Sequence, residues 1–338
     1  MPLTPVERNN MSEPNAEAFI FGFEFHSGQR PRQIAWPEVR EIAAAASTGW
    51  RWLHFNRLAG ATETWLEERS GLDETVISAL LQNETRPRCV AHGEGLLLNL
   101  RGVNYNPGAE PEDMISVRIW ATGSLIVSMR SYPVRAVQEI REDVARSDTP
   151  LTPGGLLVRI CAQLVDNMDP IVEQLRDDAD QYEEQLLSPN ARLPRNALAE
   201  FRGAILLLRR YIQPQREAVA QLLRENSSLI DASQAILLRE AGDHITRISE
   251  ELDTIRERAA VLQDQVAGHR QEILNRRLLA LSIVSSVFLP LTFLTGLLGM
   301  NVAGIPFAGE AWAFPMIAIL LTMVAGSLLG VLKLLRWV

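Results

Sequence analysis

The sequence predicts an α+β cytoplasmic domain followed by long stalk helices and a two-helix transmembrane hairpin. Three observations carry that reading: two uncharged runs near the C-terminus, a heptad stripe leading into the first, and strand-like text confined to the N-terminal part. Between Arg277 and Glu310 no residue is formally charged, and Leu278–Met300 alone supplies 23 residues. Roughly 20 apolar residues at 1.5 Å rise cross a bilayer core. A second uncharged run, Ala311–Leu332, is closed by Lys333 and Arg336. A buried hairpin in a soluble core is the rival reading, and two uncharged runs of this length argue against it. Arg276 and Arg277 precede the first span, and the loop Asn301–Glu310 has no Lys or Arg. The positive-inside rule then puts both termini in the cytoplasm.

Whole-chain composition hides this plan. With 47% hydrophobic and 22% charged residues, the 338-residue chain resembles ordinary soluble domains, because its apolar weight is concentrated at one end. The net charge of −8 argues against nucleic-acid binding, which needs a basic face. Cys89 and Cys161 have no framework spacing, which suits a reducing cytoplasm. Residues 1–17 are polar and rich in Pro and Asn, so they read as a disordered leader and not a signal peptide; the first span directs insertion itself.

The soluble part opens on strands. Phe19–Phe25 is aromatic and β-rich, Gln33–Trp36 pairs with it across the turn from His26 to Arg32, and Trp50–Phe55 alternates. Thr62–Leu81 reads as one or two short helices, with Thr62 as cap and Gly71 as break. Strands return at Arg88–Ala91, Gly95–Tyr105, Met114–Ala121 and Ser124–Arg130, the last two joined by a tight turn at Thr122-Gly123. Pro133 then opens a helix to about Arg146. Strands first and helices after give a segregated domain with a mixed or antiparallel sheet.

From Pro153 the text is helical. Gly155–Leu187 reads as one long amphipathic run broken by Ser188-Pro189, and Pro194–Arg224 as a second, interrupted or kinked near Pro214. The third begins near Asp231. Its stripe is Leu238, Ala241, Ile245, Ile248, Leu252, Ile255, Ala259, Leu262, Val266, His269 and Ile273, a 3.5-residue period that implies self-association or packing in a helical bundle. Neither Pro nor Gly other than Gly242 and Gly268 interrupts it before Pro290. From Asp231 to Met300 one helix would measure roughly 105 Å. The expected parts are therefore a leader at 1–17, the α+β domain at 18–150 and a stalk at 151–277. The first span is 278–300, the outer loop 301–311, the second span 312–332 and the basic tail 333–338.

The end of the first span carries a recognisable motif, Gly299-Met300-Asn301, preceded by Phe288-Leu289-Pro290-Leu291-Thr292-Phe293-Leu294-Thr295-Gly296. Both resemble the CorA-like metal-ion transporter superfamily, as does the order of domain, stalk, hairpin and basic tail. The loop text Val302-Ala303-Gly304-Ile305-Pro306 is similar to the ZntB zinc-transporter branch, although that branch often has Gly where Ala303 stands. The resemblance implies a homopentameric funnel in the cell inner membrane, moving divalent cations, Zn²⁺ foremost, with Mg²⁺, Co²⁺, Ni²⁺ and Cd²⁺ as other cargoes. No nucleophile elbow, phosphate loop or paired metal motif appears, so neither enzymatic activity nor a cofactor is expected. A Mg²⁺/Co²⁺ channel of the same fold is the alternative, and a non-conducting coiled-coil scaffold the alternative from another class. Five copies of Asn301 would ring the outer mouth with amide oxygens, acting through the ion's hydration shell, while Gly299 and Met300 shape the turn.

Steps of three or four from Asn275 give Leu278, Ser282, Ser285, Leu289, Thr292, Gly296 and Gly299. A pore face fits this mixture of polar rings and apolar constrictions, and so does a close helix–helix interface. No carboxylate or His lies in either span, so a divalent ion would cross at least partly hydrated. Candidate ion-attracting or pH-responsive groups are Glu310 in the outer loop, otherwise a solvated charge, and His269, which would line the inner vestibule or sit in the seam. The acidic run Glu173, Asp177, Asp178, Asp180, Glu183 and Glu184 fits a metal sensor or a solvated face. Cys89 and His92 form a sparse zinc candidate, while His26, His54 and His244 have no partner visible in sequence.

Overall fold

The computed structural model describes residues 18–39, 49–83, 86–147, 151–187, 195–225, 229–300, 305 and 310–334. The expected leader 1–17, Asn301, nearly all of the outer loop and residues 335–338 lie outside the described residues. The chain divides into two units, Met1–Val261 and Leu262–Val338.

The first unit is built on a seven-stranded sheet. Its strands are β1 (Phe19–His26), β2 (Arg32–Ile34), β3 (Gly49–Asn56), β4 (Arg88–His92), β5 (Gly95–Gly102), β6 (Ile115–Ala121) and β7 (Leu125–Arg130). Their order is β2-β1-β3-β7-β6-β5-β4, and β3–β7 is the parallel pair among antiparallel neighbours. The mixed sheet expected from the sequence is therefore present. The helices are α1 (Trp36–Val39), α2 (Gly60–Glu68), α3 (Glu74–Leu81), α4 (Arg135–Arg146), α5 (Pro153–Asp166), α6 (Asp169–Leu187), α7 (Arg195–Arg224) and α8 (Ala232–Leu298). One more helix, α9 (Ala313–Leu334), belongs to the second unit.

Two-residue alternation divides the core. Trp50 and Trp52 on β3 join Phe21, Phe23 and Phe25 on one face, under α4, α5 and parts of α7 and α8. Leu53 and Phe55 join Phe19 on the other, under α1, α2 and α3. Phe19 and Phe21 reach opposite faces because the register slips between them. Gly22 is required beside this slip: a Cβ there would lie 2.9 Å from both Ile34 Cγ1 and Phe19 Cζ. The buried indoles keep partners, Trp52 Nε1 donating to Ser128 Oγ at 2.8 Å and Trp50 Nε1 to the Leu151 carbonyl at 2.9 Å.

Buried charge is matched locally. Arg118, 3% exposed, donates to the Leu80 carbonyl at 2.7 Å and Arg57 to the Leu81 carbonyl at 3.2 Å. Both therefore cap the C-terminal, electronegative end of α3. Burial, with Arg57, Arg101 and Arg88 nearby, still lowers Arg118 to about 10. Glu24 accepts from Arg32 and Arg51 at 2.7 and 2.8 Å. Burial alone would raise its pKa, and the two guanidiniums overcome that and hold it at about 2.

Several expectations change. Thr62 does not cap α2; Ala59 occupies that position, and the Thr62 hydroxyl donates to the Asn56 carbonyl at 2.6 Å. The single run Gly155–Leu187 is two helices, because Asn167 and Met168 form a corner between α5 and α6. Helix α7 continues through Pro214. The N-terminus of α8 is a capping box: Asp231 Oδ1 accepts from the Gln234 N–H at 2.9 Å and Gln234 Oε1 from the Asp231 N–H at 3.1 Å. From Leu238 to Leu262 the heptad stripe is buried within this one chain. Ion pairs Arg176–Glu251, Arg209–Asp253 and Arg258–Glu183 join α8 to α6 and α7. The bundle reading of the stripe accounts for that stretch without a second copy.

The folded pKa of Glu24 lies below its unfolded value near 4.5, so its stabilisation is present above that pH and is lost as pH falls towards 2. Glu24→Gln should remove at most about 3 kcal/mol at pH 7 and flatten the acid limb of denaturation curves between those values.

Candidate functional site

The second unit carries two stretches long and apolar enough to cross a membrane. Both contain windows of mean hydropathy above 2, namely 2.1 within α8 and 2.2 within α9. Two of their hydroxyls bond within the helix, as hydrocarbon favours: Thr295 Oγ1 donates to the Thr292 carbonyl at 3.1 Å and Thr322 Oγ1 to the Ala318 carbonyl at 2.8 Å. Pro290 stands inside α8 and removes the N–H that would otherwise bond the Ser286 carbonyl.

Exposure separates two faces of the first span. Ile283, Val287, Pro290, Leu291, Leu294 and Leu298 are half-buried and recur at helical spacing, a wholly apolar row. Ala313, Ile317, Leu321, Val324, Ala325, Leu328 and Leu332 form the same kind of row on α9. The expected pore line, Leu278, Ser282, Ser285, Leu289, Thr292, Gly296 and Gly299, is exposed throughout. At 3.6 residues per turn it lies on the opposite side of α8 from the half-buried row. The polar residues and small residues are thus on the face the chain leaves open.

The end of α8 is closed by the Gly299 N–H donating to the Thr295 carbonyl at 2.9 Å. A Cβ at Gly299 would sit 3.0 Å from that same carbonyl oxygen, so a glycine fits the turn best. Met300 follows, 48% exposed, and Asn301 lies outside the described residues. Glu310 is exposed, and its carbonyl accepts from the Ala313 N–H at 3.1 Å as α9 begins. Before the first apolar stretch, Asn275 Oδ1 accepts from Gln271 at 3.1 Å, and Arg276 pairs with Glu272 at 3.3 Å. His269 is exposed on α8, beyond the buried part of the stripe.

The remaining metal candidates are accounted for by other contacts. Among the described residues no group of three His, Cys, Asp or Glu side chains could hold a metal ion. In the acidic run, Asp180 and Glu183 both bind Arg258, and Glu173 binds Arg176. Cys89 and His92 are three apart on β4 and so point to opposite faces. Cys89 is buried, which pushes its thiol up to about 12, and His92 pairs with Asp73 at 3.3 Å. His26 lies 3.5 Å from Glu24. His244 sits between Asp169 at 2.8 Å and Asp166 at 3.3 Å, a pairing across the α5–α6 corner that no sequence spacing signals.

Residues 47–336 match the family described as CorA-like Mg²⁺ transporter protein. Over 288 residues the chain is 38% identical to the divalent cation transporter CmaX of Pseudomonas aeruginosa, covering 85% of this chain and 87% of that one. The full-length CmaX structure superposes with a TM-score of 0.81 at 35% identity, covering 95% and 98% of the two chains. The cytoplasmic domain of ZntB from Vibrio parahaemolyticus gives 0.65 at 27% identity, over 75% of this chain and 99% of that one. CorA of Methanocaldococcus jannaschii shares the fold at 14% identity, with a TM-score of 0.79 over 94% and 99%.

The half-buried row of α8 is apolar throughout and lies opposite the open line. Val287→Asn or Leu291→Asn should cost about 2 kcal/mol by burying an amide without a partner, lowering the thermal midpoint of the purified protein in detergent. Ser285→Asn, on the open face, should leave that midpoint within experimental scatter.

Proposed function

The chain belongs to the CorA-like Mg²⁺ transporter family and is a divalent cation transporter; on that premise we propose that it conducts Zn²⁺ through a central pore lined by the open face of α8. Several copies must surround the pore, since one hairpin cannot enclose water, and the family resemblance favours five. The observation that carries this reading is the exposed line from Leu278 to Gly299, opposite the half-buried row and free of ionisable groups.

The energetics follow from the residue types. Hydroxyls at Ser282, Ser285 and Thr292 are neutral, and Leu278 and Leu289 offer no ligand at all. Stripping a divalent ion of water against such groups costs far more than they return. The ion therefore keeps much of its hydration shell and is contacted through it. A ring of Asn301 amides at the outer mouth attracts hydrated cations without trapping them, while tight zinc sites use Cys, His or carboxylate ligands. An inside-negative potential drives entry, contributing about 2.3 kcal/mol per charge per 100 mV and so about 4.6 for a divalent ion. Both termini lie in the cytoplasm, consistent with Arg276, Arg277 and Lys333 flanking the spans. Any proton coupling runs through pore water or groups at the mouths, such as His269 or Glu310, because the spans have no relay.

Zinc as cargo rests on the loop text Gly304-Ile305-Pro306. The family description names Mg²⁺, which favours a second reading, a Mg²⁺/Co²⁺ channel. Uptake into vesicles with an imposed inside-negative voltage, scanned over Zn²⁺, Mg²⁺, Co²⁺, Ni²⁺ and Cd²⁺, separates the two. The proposal expects Zn²⁺ flux to lead, to rise with voltage, and to fall tenfold or more in Asn301→Ala. Mg²⁺ leading supports the second reading; no flux of any ion means a non-conducting scaffold.

A further inference from the structure

The ion pairs that join α8 to α6 and α7 are built on arginine: Arg176 with Glu251, Arg209 with Asp253, and Arg258 with Asp180 and Glu183. A guanidinium stays charged throughout the physiological range. One further tie, to the corner between α5 and α6, is built on histidine. That side chain changes its charge between about pH 5 and 8.

His244 of α8 meets a carboxylate at each ring nitrogen. Nε2 lies 2.8 Å from Asp169 Oδ1, and Nδ1 lies 3.3 Å from Asp166 Oδ1. Only the protonated ring carries an N–H on both nitrogens. A neutral ring has one, so its other nitrogen turns a lone pair towards a carboxylate. The two aspartates are not equivalent. Asp166 is the last residue of α5, whose final turn holds no basic residue, and the helix dipole there disfavours an anion. Asp169 stands in the first turn of α6, where an anion is favoured. A ring without charge therefore keeps the bond to Asp169 and gives up Asp166.

The corner is held on its other side by neutral donors. Asn167 Nδ2 and Gln163 Nε2 donate to Glu139 of α4 at 3.3 and 3.0 Å, and the Tyr105 hydroxyl donates to the Asn167 carbonyl at 2.8 Å. The His244 side chain is 22% exposed, so water reaches the ring. Nearby, α8 carries Glu240, Asp243 and Arg247, and α6 carries Glu173, which Arg176 holds at 3.4 Å. Helix α7 approaches through Val219, 3.7 Å from where a Cβ on Gly242 would lie, with Arg216 and Glu217 the charged residues beside it in sequence. Among the described residues no arginine or lysine pairs with Asp166 or Asp169, which leaves His244 as their counter-charge.

We propose that His244 is a proton-operated latch between α8 and the α5–α6 corner, closed on both carboxylates when the ring is charged and released from Asp166 when it is neutral. The proton exchanges with water at the exposed edge of the ring, and no other covalent bond changes. The latch contributes to stability on the acid side of the histidine range, and that contribution is lost as pH rises through it. It operates whichever cation the protein carries.

The test is a double-mutant cycle on the full-length protein in detergent, read as thermal midpoints at about pH 5.5 and about pH 8, the two sides of that range. His244→Gln keeps one donor and has no charge to lose. At the lower pH, Asp166→Asn should drop the midpoint by about 2 °C, a modest shift because the pair is partly exposed. At the higher pH the drop should be less than half as large, and in the His244→Gln background it should vanish at both. Hydrogen exchange of wild type, corrected for the intrinsic pH dependence, gives a readout that needs no Asp166 variant. Amides of the corner and of α8 around His244 should lose protection from the lower to the higher pH, and His244→Gln should abolish the difference. Equal coupling at both pH values, absence of coupling, or protection that is the same at both in wild type would overturn the latch.

Discussion

On the proposed pathway a divalent ion meets no carboxylate, imidazole or thiolate within the spans and so keeps much of its water, and the rest of the proposed transport apparatus depends on that constraint. It requires water alongside the first span, hence an open face, hence neighbours to close around it. It also confines selection to the mouths and to weak contacts through the hydration shell. The hairpin meets the first requirement by division of labour. Aliphatic residues on α8 and α9 form half-buried rows, and hydroxyls and glycines stay on the opposite side of α8. The Thr295 hydroxyl is spent on its own backbone, so it adds no stray polarity to the helix surface.

Contacts within the first unit fix the N-terminal part of α8. Asp231 and Gln234 cap α8, and Gln234 Nε2 also donates to Thr152, the cap of α5. Gly154 permits this junction, because a Cβ there would fall 1.9 Å from the Leu229 carbonyl oxygen. Below it, Ile245, Leu252 and Ala259 are sealed, and Arg258 spans to Asp180 and Glu183. Those carboxylates hold Arg258 above its usual range. An acidic run that looks like a cation sensor in sequence is thus partly a counter-charge for one arginine.

Much of this fold is legible from the sequence, for physical reasons. Aromatic alternation in Phe19–Phe25 and Trp50–Phe55 fixes strands because each pleat face needs its own core. The spans declare themselves because a bilayer tolerates so little charge. What escapes is what depends on distant partners. The heptad stripe has the same spacing whether it packs on α6 and α7 or on a second copy. His244 finds Asp166 and Asp169 only once the corner at Asn167 and Met168 exists, and the local signal for that corner was Pro170 in the first turn of α6. Thr62 carries a capping residue type, yet its hydroxyl is claimed by Asn56. On the site, the open line of α8 was traceable by period alone, whereas Asn301 falls where no position is described.

The central claim is that the hydroxyl-bearing face of α8 borders water and the aliphatic row does not. Single cysteines at Ser285, Thr292, Leu291 and Leu294, treated with a charged thiol reagent during cation flux in vesicles, test it most directly. The native Cys89 and Cys161 are buried, with thiols pushed up to about 12, and give a silent background. The account predicts rapid modification and block at Ser285 and Thr292 and none at Leu291 and Leu294. Modification of the Leu291 and Leu294 positions with Ser285 and Thr292 inert would contradict it.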